Sequence, residues 1–355
     1  YIYIYTPTIQ TSTIQMSFPL DLELPWVEKY RPVTLDEVVG NKETIRALKR
    51  MAIDGNLPHL IISGMPGIGK TTAVLCLARE LFDGDVKVMR EAVLELNASD
   101  DRGIEVVRNM IKTFAQKKVN LRHNRHKIVI LDEADSITAS AQQALRRTME
   151  IYSNSTRFVF SCNQSSKIIE PLQSRCSILR FNKLNDEDVL ANLNRIIKGE
   201  KIETVTDDGL SALIFTSDGD MRQAVNNLQS VYYGFHMVNS ENVFKIVDTP
   251  NPLLVRRMLQ QALLGDIDGA LAVLQGLWGK GYSAVDIVNV CFRVSKTLDI
   301  ANNTNSSTNS NNKIDHESVL SVLRLVGECQ LRLVEGVSTY LQLAALMARL
   351  SEISN

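Results

Sequence analysis

LIISGMPGIGKT, residues 60–71, is the stretch whose reading decides the fold. Leu60, Ile61 and Ile62 form a short apolar run that predicts a buried parallel strand, and the run stops at Gly64. Gly64, four intervening residues, then Gly69, Lys70 and Thr71 reproduce the spacing of a phosphate-binding loop. Glycines let successive backbone N–H groups curl around a phosphate without Cβ clashes. A helix over 73–81 then points its positive end at the anion. Lys70 reaches the β- and γ-phosphates, and the Thr71 hydroxyl ligates Mg²⁺. The competing reading is a glycine-rich turn that matches by chance. The strand before the loop and the helix after it supply the context the motif requires, and they favour a nucleotide site.

Outward from this loop, five β-rich runs alternate with helical stretches: LIIS (60–63), VLELN (93–97), KIVIL (127–131), RFVFS (157–161) and SILRF (177–181). Strands separated by helix-length segments predict a parallel α/β sheet. Ligands of such sheets gather at the carboxyl ends of the strands. The third run ends in Asp132-Glu133, where a nucleotide hydrolase needs acids opposite its phosphate loop. Asp132 would hold Mg²⁺ and Glu133 would orient or deprotonate the attacking water. Capping of the next helix by the same acids is the bland alternative, and the neighbouring loop outweighs it. Asn163 follows the fourth run, placed either to hydrogen-bond a γ-phosphate or attacking water or to serve a turn. Arg175, in Ser174-Arg175-Cys176, and Arg222, in GDMRQAVNNLQ, can each neutralise charge on a phosphoryl group; periodicity does not say which serves which phosphate.

Residues 102–127 hold eight Lys/Arg (Arg102, Arg108, Lys112, Lys117, Lys118, Arg122, Arg125, Lys127) against one acid, Glu105. On a helix over 104–115, Arg108 and Lys112 share one face, while Val107, Met110, Ile111 and Phe114 mark the apolar side. A one-signed patch attracts phosphate backbones through counterion release, and a solvated helix face is the alternative.

The remainder sets the frame. A chain of 355 residues is long enough for two or three domains. With 45% hydrophobic and 22% charged residues it has ordinary globular composition, and its net charge of −1 confines any nucleic-acid surface to a local patch. No apolar run reaches the roughly 18 residues a membrane span needs. Five scattered cysteines show no metal spacing, and Cys76 and Cys162 sit in apolar runs as expected of buried free thiols. Residues 1–23 read as a disordered extension, with Met16 as the expected natural start. In the stretch that opens Leu24-Pro25-Trp26, Pro25 and Pro32 forbid a continuous helix; the segment either packs on the core or walls an adenine pocket. A helix is expected over 43–53. After Lys183 strand signals stop, and helices are expected over 186–198, 206–215 and 221–231, then a short one capped by Ser240. Beyond a break at 248–252, further helices are expected from Pro252 to Gly265, over 270–277 and 284–301, and over 318–350 with a break near Gly336. NNTNSSTNSNN (302–312) reads as a polar loop that cannot bury a core.

Taken together, WVEKYRP (26–32), GMPGIGKTT (64–72), ELNASDDRGI (95–104), ILDEADSIT (130–138), FSCNQSSKIIEPLQSRC (160–176) and GDMRQAVNNLQ (219–229) resemble, in this order, the small subunits of replication factor C, the eukaryotic sliding-clamp loader. The resemblance covers about residues 24–350. It implies an α/β fold: a RecA-like AAA+ domain with a parallel sheet (24–183), an all-helical lid (184–248) and an all-helical collar (249–355) joining five subunits. It implies that Val27, Tyr30, Arg31 and Val39 line the adenine pocket. Gly64, Met65, Pro66, Gly67, Ile68, Gly69, Lys70, Thr71 and Thr72 would bind ATP, with Mg²⁺ on Thr71 and Asp132. Asp132 and Glu133 would be the Walker B pair, Asn163 sensor 1 and Arg222 sensor 2. Arg175 would complete a neighbouring subunit's site in trans. The resemblance further implies a nuclear hetero-pentamer that handles a sliding clamp and primer–template DNA, with Arg102, Arg108 and Lys112 as candidate DNA contacts. The Ile111/Phe114 side is offered to the clamp or, preferentially, to the core. Two rivals stand beside this reading: another AAA+ motor such as a branch-migration helicase, and a scaffold subunit that mainly donates Arg175.

Overall fold

The computed structural model describes residues 24–98, 104–119, 121–122, 125–304 and 316–353. The expected extension 1–23 with its start at Met16, Arg102, the Arg108 side chain and residues 305–312 of the polar tract lie outside the described residues.

Five parallel strands, β1 (Leu60–Ser63), β2 (Val93–Asn97), β3 (Lys127–Asp132), β4 (Thr156–Cys162) and β5 (Ser177–Arg180), form one sheet in the order β2-β3-β4-β1-β5. The register pairs Leu60 with Val159 and Ser177, and Asn97 with Asp132. Alternate strand residues enter two different cores. Leu60, Ile62, Ile130 and Val159 face one; Ile61, Val129, Leu131, Phe158 and Phe160 face the other. Burial on both faces explains why these strands read as continuous apolar runs rather than alternating ones.

The helices are α1 (Trp26–Lys29), α2 (Lys42–Asp54), α3 (Lys70–Leu81), α4 (Val86–Ala92), α5 (Ile104–Gln116), α6 (Ala139–Tyr152), α7 (Glu170–Gln173), α8 (Asp186–Gly199), α9 (Asp207–Ser217), α10 (Met221–Phe235) and α11 (Ser240–Ile246). α12 (Pro252–Leu263), α13 (Ile267–Gly279), α14 (Ala284–Thr304), α15 (His316–Val334) and α16 (Tyr340–Glu352) follow. Buried residues of α8–α11, such as Leu193, Leu213 and Leu228, belong to the same core as the first sheet face. α12–α16 close around their own core, which includes Met258, Leu274, Ile287, Val326 and Met347. The chain turns between α15 and α16 at Gly336, at φ 108°.

Three local expectations shift. Asn239, not Ser240, caps α11, because its extended backbone lets the side chain accept the Asn242 N–H at 2.8 Å. The first three residues of the polar tract, 302–304, continue α14. α4 was not anticipated; Asp85 caps it by accepting the Lys87 and Val88 N–H groups. Cys76, Cys162, Cys291 and Cys329 are buried free thiols and Cys176 is half-buried. Among the described residues no helix is long and apolar enough to cross a membrane.

Candidate nucleotide site

Strand order assembles the site. β4 lies between β1 and β3, so the loop after β1, the Asp132 end of β3 and Asn163 after β4 come together at the carboxyl edge of the sheet. Gly67 and Gly69 adopt left-handed backbone (φ 70° and 91°), and Gly69 delivers the chain into α3 at Lys70. The Lys70 side chain is buried. Its ammonium donates to the Gly64 and Met65 carbonyls, each at 2.7 Å, and to Asn163 Oδ1 at 3.0 Å. Burial pushes its pKa down, Asp132 acts in the opposite sense, and the Arg222 charge adds to the lowering.

Thr71 Oγ1 donates to Asp132 Oδ2 at 2.8 Å. The other Asp132 oxygen accepts the Glu133 N–H at 3.0 Å. Glu133 is exposed and holds a left-handed backbone, φ 51°. Sparsely populated backbone in a bulky residue is characteristic of functional turns. Neither acid caps a helix by its side chain: the turn after Glu133 has no side-chain cap, and α6 begins only at Ala139, after Thr138.

A single cleft is lined by Val27, Tyr30, Arg31, Val39, Pro66 to Thr72, Asp132, Glu133, Asn163 and Arg222. Gly64 and Met65 contribute their carbonyls to Lys70, while the Met65 side chain points to solvent. Arg31 Nε donates to Thr72 Oγ1 at 3.3 Å, joining the 26–32 segment to α3. Tyr30 packs so closely on α8 that a Cβ at Gly199 would stand 2.4 Å from its hydroxyl. The helical segment also touches the loop directly, since the Met221 N–H donates to the Gly67 carbonyl at 3.1 Å.

Several residues of the site escaped the sequence reading. Asp135 accepts the Asn163 N–H at 3.4 Å and so steadies the turn after β4. Ser161, Leu184, Asn192, Met221 and Val225 also line the cleft. Asp135 had a local signal, as a third acid after β3, and Ser161, Met221 and Val225 fall inside quoted motifs without a role of their own; Leu184 and Asn192 arrive by long-range packing that no motif announces.

Arg175 does not line this cleft. It lies after α7, donating to the Pro171 carbonyl at 2.8 Å and pairing with Glu150 at 2.6 Å. The basic segment is smaller at the surface than its composition suggests. Lys127 is buried, with its ammonium on the Phe114, Ala115 and Lys117 carbonyls at 2.9, 2.6 and 2.7 Å. Arg125 donates to the Ala52 carbonyl and Arg122 pairs with Asp83. Lys112, Lys117 and Lys118 are exposed. Ile111 is buried and Phe114 packs beside it, so this side of α5 serves the core.

Sheet order, phosphate loop and the acids facing it define the chain as an ATPase of the AAA class, and residues 60–184 match the family described as "ATPase family associated with various cellular activities (AAA)". Residues 250–349 match the "Replication factor C C-terminal domain". The chain is 57% identical over 341 residues to "Replication factor C subunit 4" of Saccharomyces cerevisiae, covering 96% of this chain and 99% of that one. It is 59% identical to the Schizosaccharomyces pombe protein of the same name, over 93% and 92% of the two chains. A "Replication factor C small subunit" of Staphylothermus marinus shares 44%, over 93% and 95%. The chain belongs to the replication factor C family. Among solved structures, the "Thermotoga maritima RuvB Holliday junction branch migration motor" superposes with a TM-score of 0.51 over 65% of this chain and 78% of that one. At 17% identity that likeness speaks for the fold alone.

Proposed function

We propose that this subunit binds and hydrolyses ATP within a nuclear hetero-pentameric clamp loader that opens a sliding clamp and places it on primer–template DNA. The observation that carries the reading is one constellation: Lys70 on Asn163 and Thr71 on Asp132, at the head of α3. Family membership supports the clamp-loader context, and the identity of 57% outweighs the 17% shared with the branch-migration motor.

In this reading Lys70 exchanges its loop carbonyls for the β- and γ-phosphates, and the α3 dipole adds to the attraction. Thr71 and Asp132 present oxygens within 2.8 Å of each other, the hard donors Mg²⁺ prefers. Bound there, Mg²⁺ would neutralise charge on the phosphates. Glu133, exposed at the mouth, orients or deprotonates water, and Asn163 and Arg222 read the γ-phosphate from two sides. Residues 24–183 act as the ATPase body, 184–248 as a lid over the loop and 249–355 as the collar that joins subunits. The Met221–Gly67 hydrogen bond supports a lid that follows the loop. Exposed Lys112, with Arg102 and Arg108, is the candidate DNA contact. Arg175 lies outside the lining of its own cleft, as a residue serving a neighbour would.

The test is a pair of substitutions. Lys70→Ala should abolish ATP binding to the isolated subunit, measured by calorimetry. Arg175→Ala should spare that binding and lower turnover of the assembled complex by about tenfold or more. Loss of binding in Arg175→Ala would refute the trans assignment. Glu133→Gln in this subunit alone, assayed for clamp loading by the whole complex, separates a motor from a scaffold.

A further inference from the structure

We propose that Glu150 is the positioning residue for the Arg175 guanidinium, a role that rests on the trans reading of Arg175. Arg175 is held at two points. One terminal nitrogen donates to the Pro171 carbonyl at 2.8 Å, and the other pairs with Glu150 Oε1 at 2.6 Å. The carboxylate is itself held, because Arg146, one turn earlier on α6, donates its Nε to the same oxygen at 3.2 Å. A guanidinium carries five N–H donors in a rigid plane. One N–H is on the Pro171 carbonyl and the second terminal nitrogen is ion-paired with Glu150, so donors remain to meet a phosphate without either anchor letting go.

The pair is part-exposed, with side-chain exposures of 35% for Arg175 and 44% for Glu150. Such a pair adds little to folding stability. Its consequence is orientation: a long side chain with several free torsions is confined to one direction before a partner arrives. Two apolar side chains close in sequence to the pair are exposed. Ile151, next to Glu150, is 71% exposed, and Ile178, three residues after Arg175 on the edge strand β5, is 38% exposed. Sequence motifs gave no hint of the pairing, since α6 and the turn before β5 meet only in the folded chain.

The experiment is a double-mutant cycle on ATP turnover of the assembled complex, comparing Arg175→Ala, Glu150→Ala, Glu150→Gln and the Glu150→Ala/Arg175→Ala double. Glu150→Ala should lower kcat by about three- to tenfold and leave KM for ATP within about twofold, the pattern of an interaction expressed in the transition state. Glu150→Gln, which keeps a carbonyl acceptor, should fall between that variant and the parent. The double variant should be no slower than Arg175→Ala alone, because Glu150 acts only through Arg175. Multiplying effects in the double, or an unchanged kcat in Glu150→Ala while Arg175→Ala is impaired, would overturn the inference and leave the trans reading intact. An unimpaired Arg175→Ala complex would overturn both. Should Glu150→Ala fail to assemble, Glu150→Gln decides: full turnover in that variant overturns the proposal, and an intermediate loss absent from the Arg175→Ala background supports it.

Discussion

Replacing Lys127 by Met tests how the basic segment is held to the sheet. Lys127 opens β3, is 4% exposed, and places its ammonium on three carbonyls at the end of α5. The charge meets the negative end of the α5 dipole and lies 5.5 Å from the Phe114 ring centroid. Burial lowers the Lys127 pKa, with the nearby Lys117 charge acting the same way, so the ammonium sits there at a desolvation cost that its acceptors offset. Methionine keeps most of the stem and removes only the donor. The Phe114 carbonyl keeps the Lys117 N–H at 3.2 Å, whereas the Ala115 and Lys117 carbonyls lose the ammonium at about 1–3 kcal/mol each; solvent reaching the frayed turn recovers part of it, so the net loss should be about 2–4 kcal/mol. At about 2–4 °C per kcal/mol, the transition should fall by roughly 4–16 °C. Urea unfolding followed by circular dichroism measures the loss, and amide exchange over residues 112–116 locates it. A loss below about 1 kcal/mol, or exchange unchanged in α5, would show that these contacts do not hold the helix. The same variant should weaken any DNA binding that depends on Lys112.

Acid should destabilise the protein through His59, whose pKa burial and the Arg157 charge push down to about 4 from 6.5, while the Phe158 N–H donates to its Nδ1 at 3.1 Å. The unfolded chain binds the proton first, so stability falls as pH drops from about 6.5 towards 4, by up to about 3 kcal/mol; His59→Gln should flatten that slope in urea titrations across the range. Gly67→Ala should push the start of α10 away from the loop: a Cβ there would stand 1.7 Å from Asp220 Oδ1, and φ 70° strains any L-residue. ATP affinity should fall at least about tenfold, and binding within about twofold of the parent would show that the contact between the loop and α10 is dispensable. Cys176, its thiol pushed up to about 12 by burial, should resist alkylation at pH 8 in the folded protein and react only on unfolding.

The nearest-neighbour chemistry of this chain was legible without coordinates. All five strands, the phosphate loop, the acids closing β3 and most helix limits follow from apolar runs, glycines and caps, because these signals act over a few residues. The motif series also carried the family, since six short sequences in fixed order leave few alternatives. Two kinds of fact waited for the tertiary structure. Strand order, which puts Asn163 between the loop and Asp132, depends on how helices cross over the sheet and not on any strand's own residues. The fate of each charge did as well: Lys127 and Arg175 look alike in a sequence, yet one is buried under a helix end and the other is part-exposed and paired with Glu150. Charge and helical period are properties of a segment, whereas burial and partnership belong to whatever the folded chain packs against it.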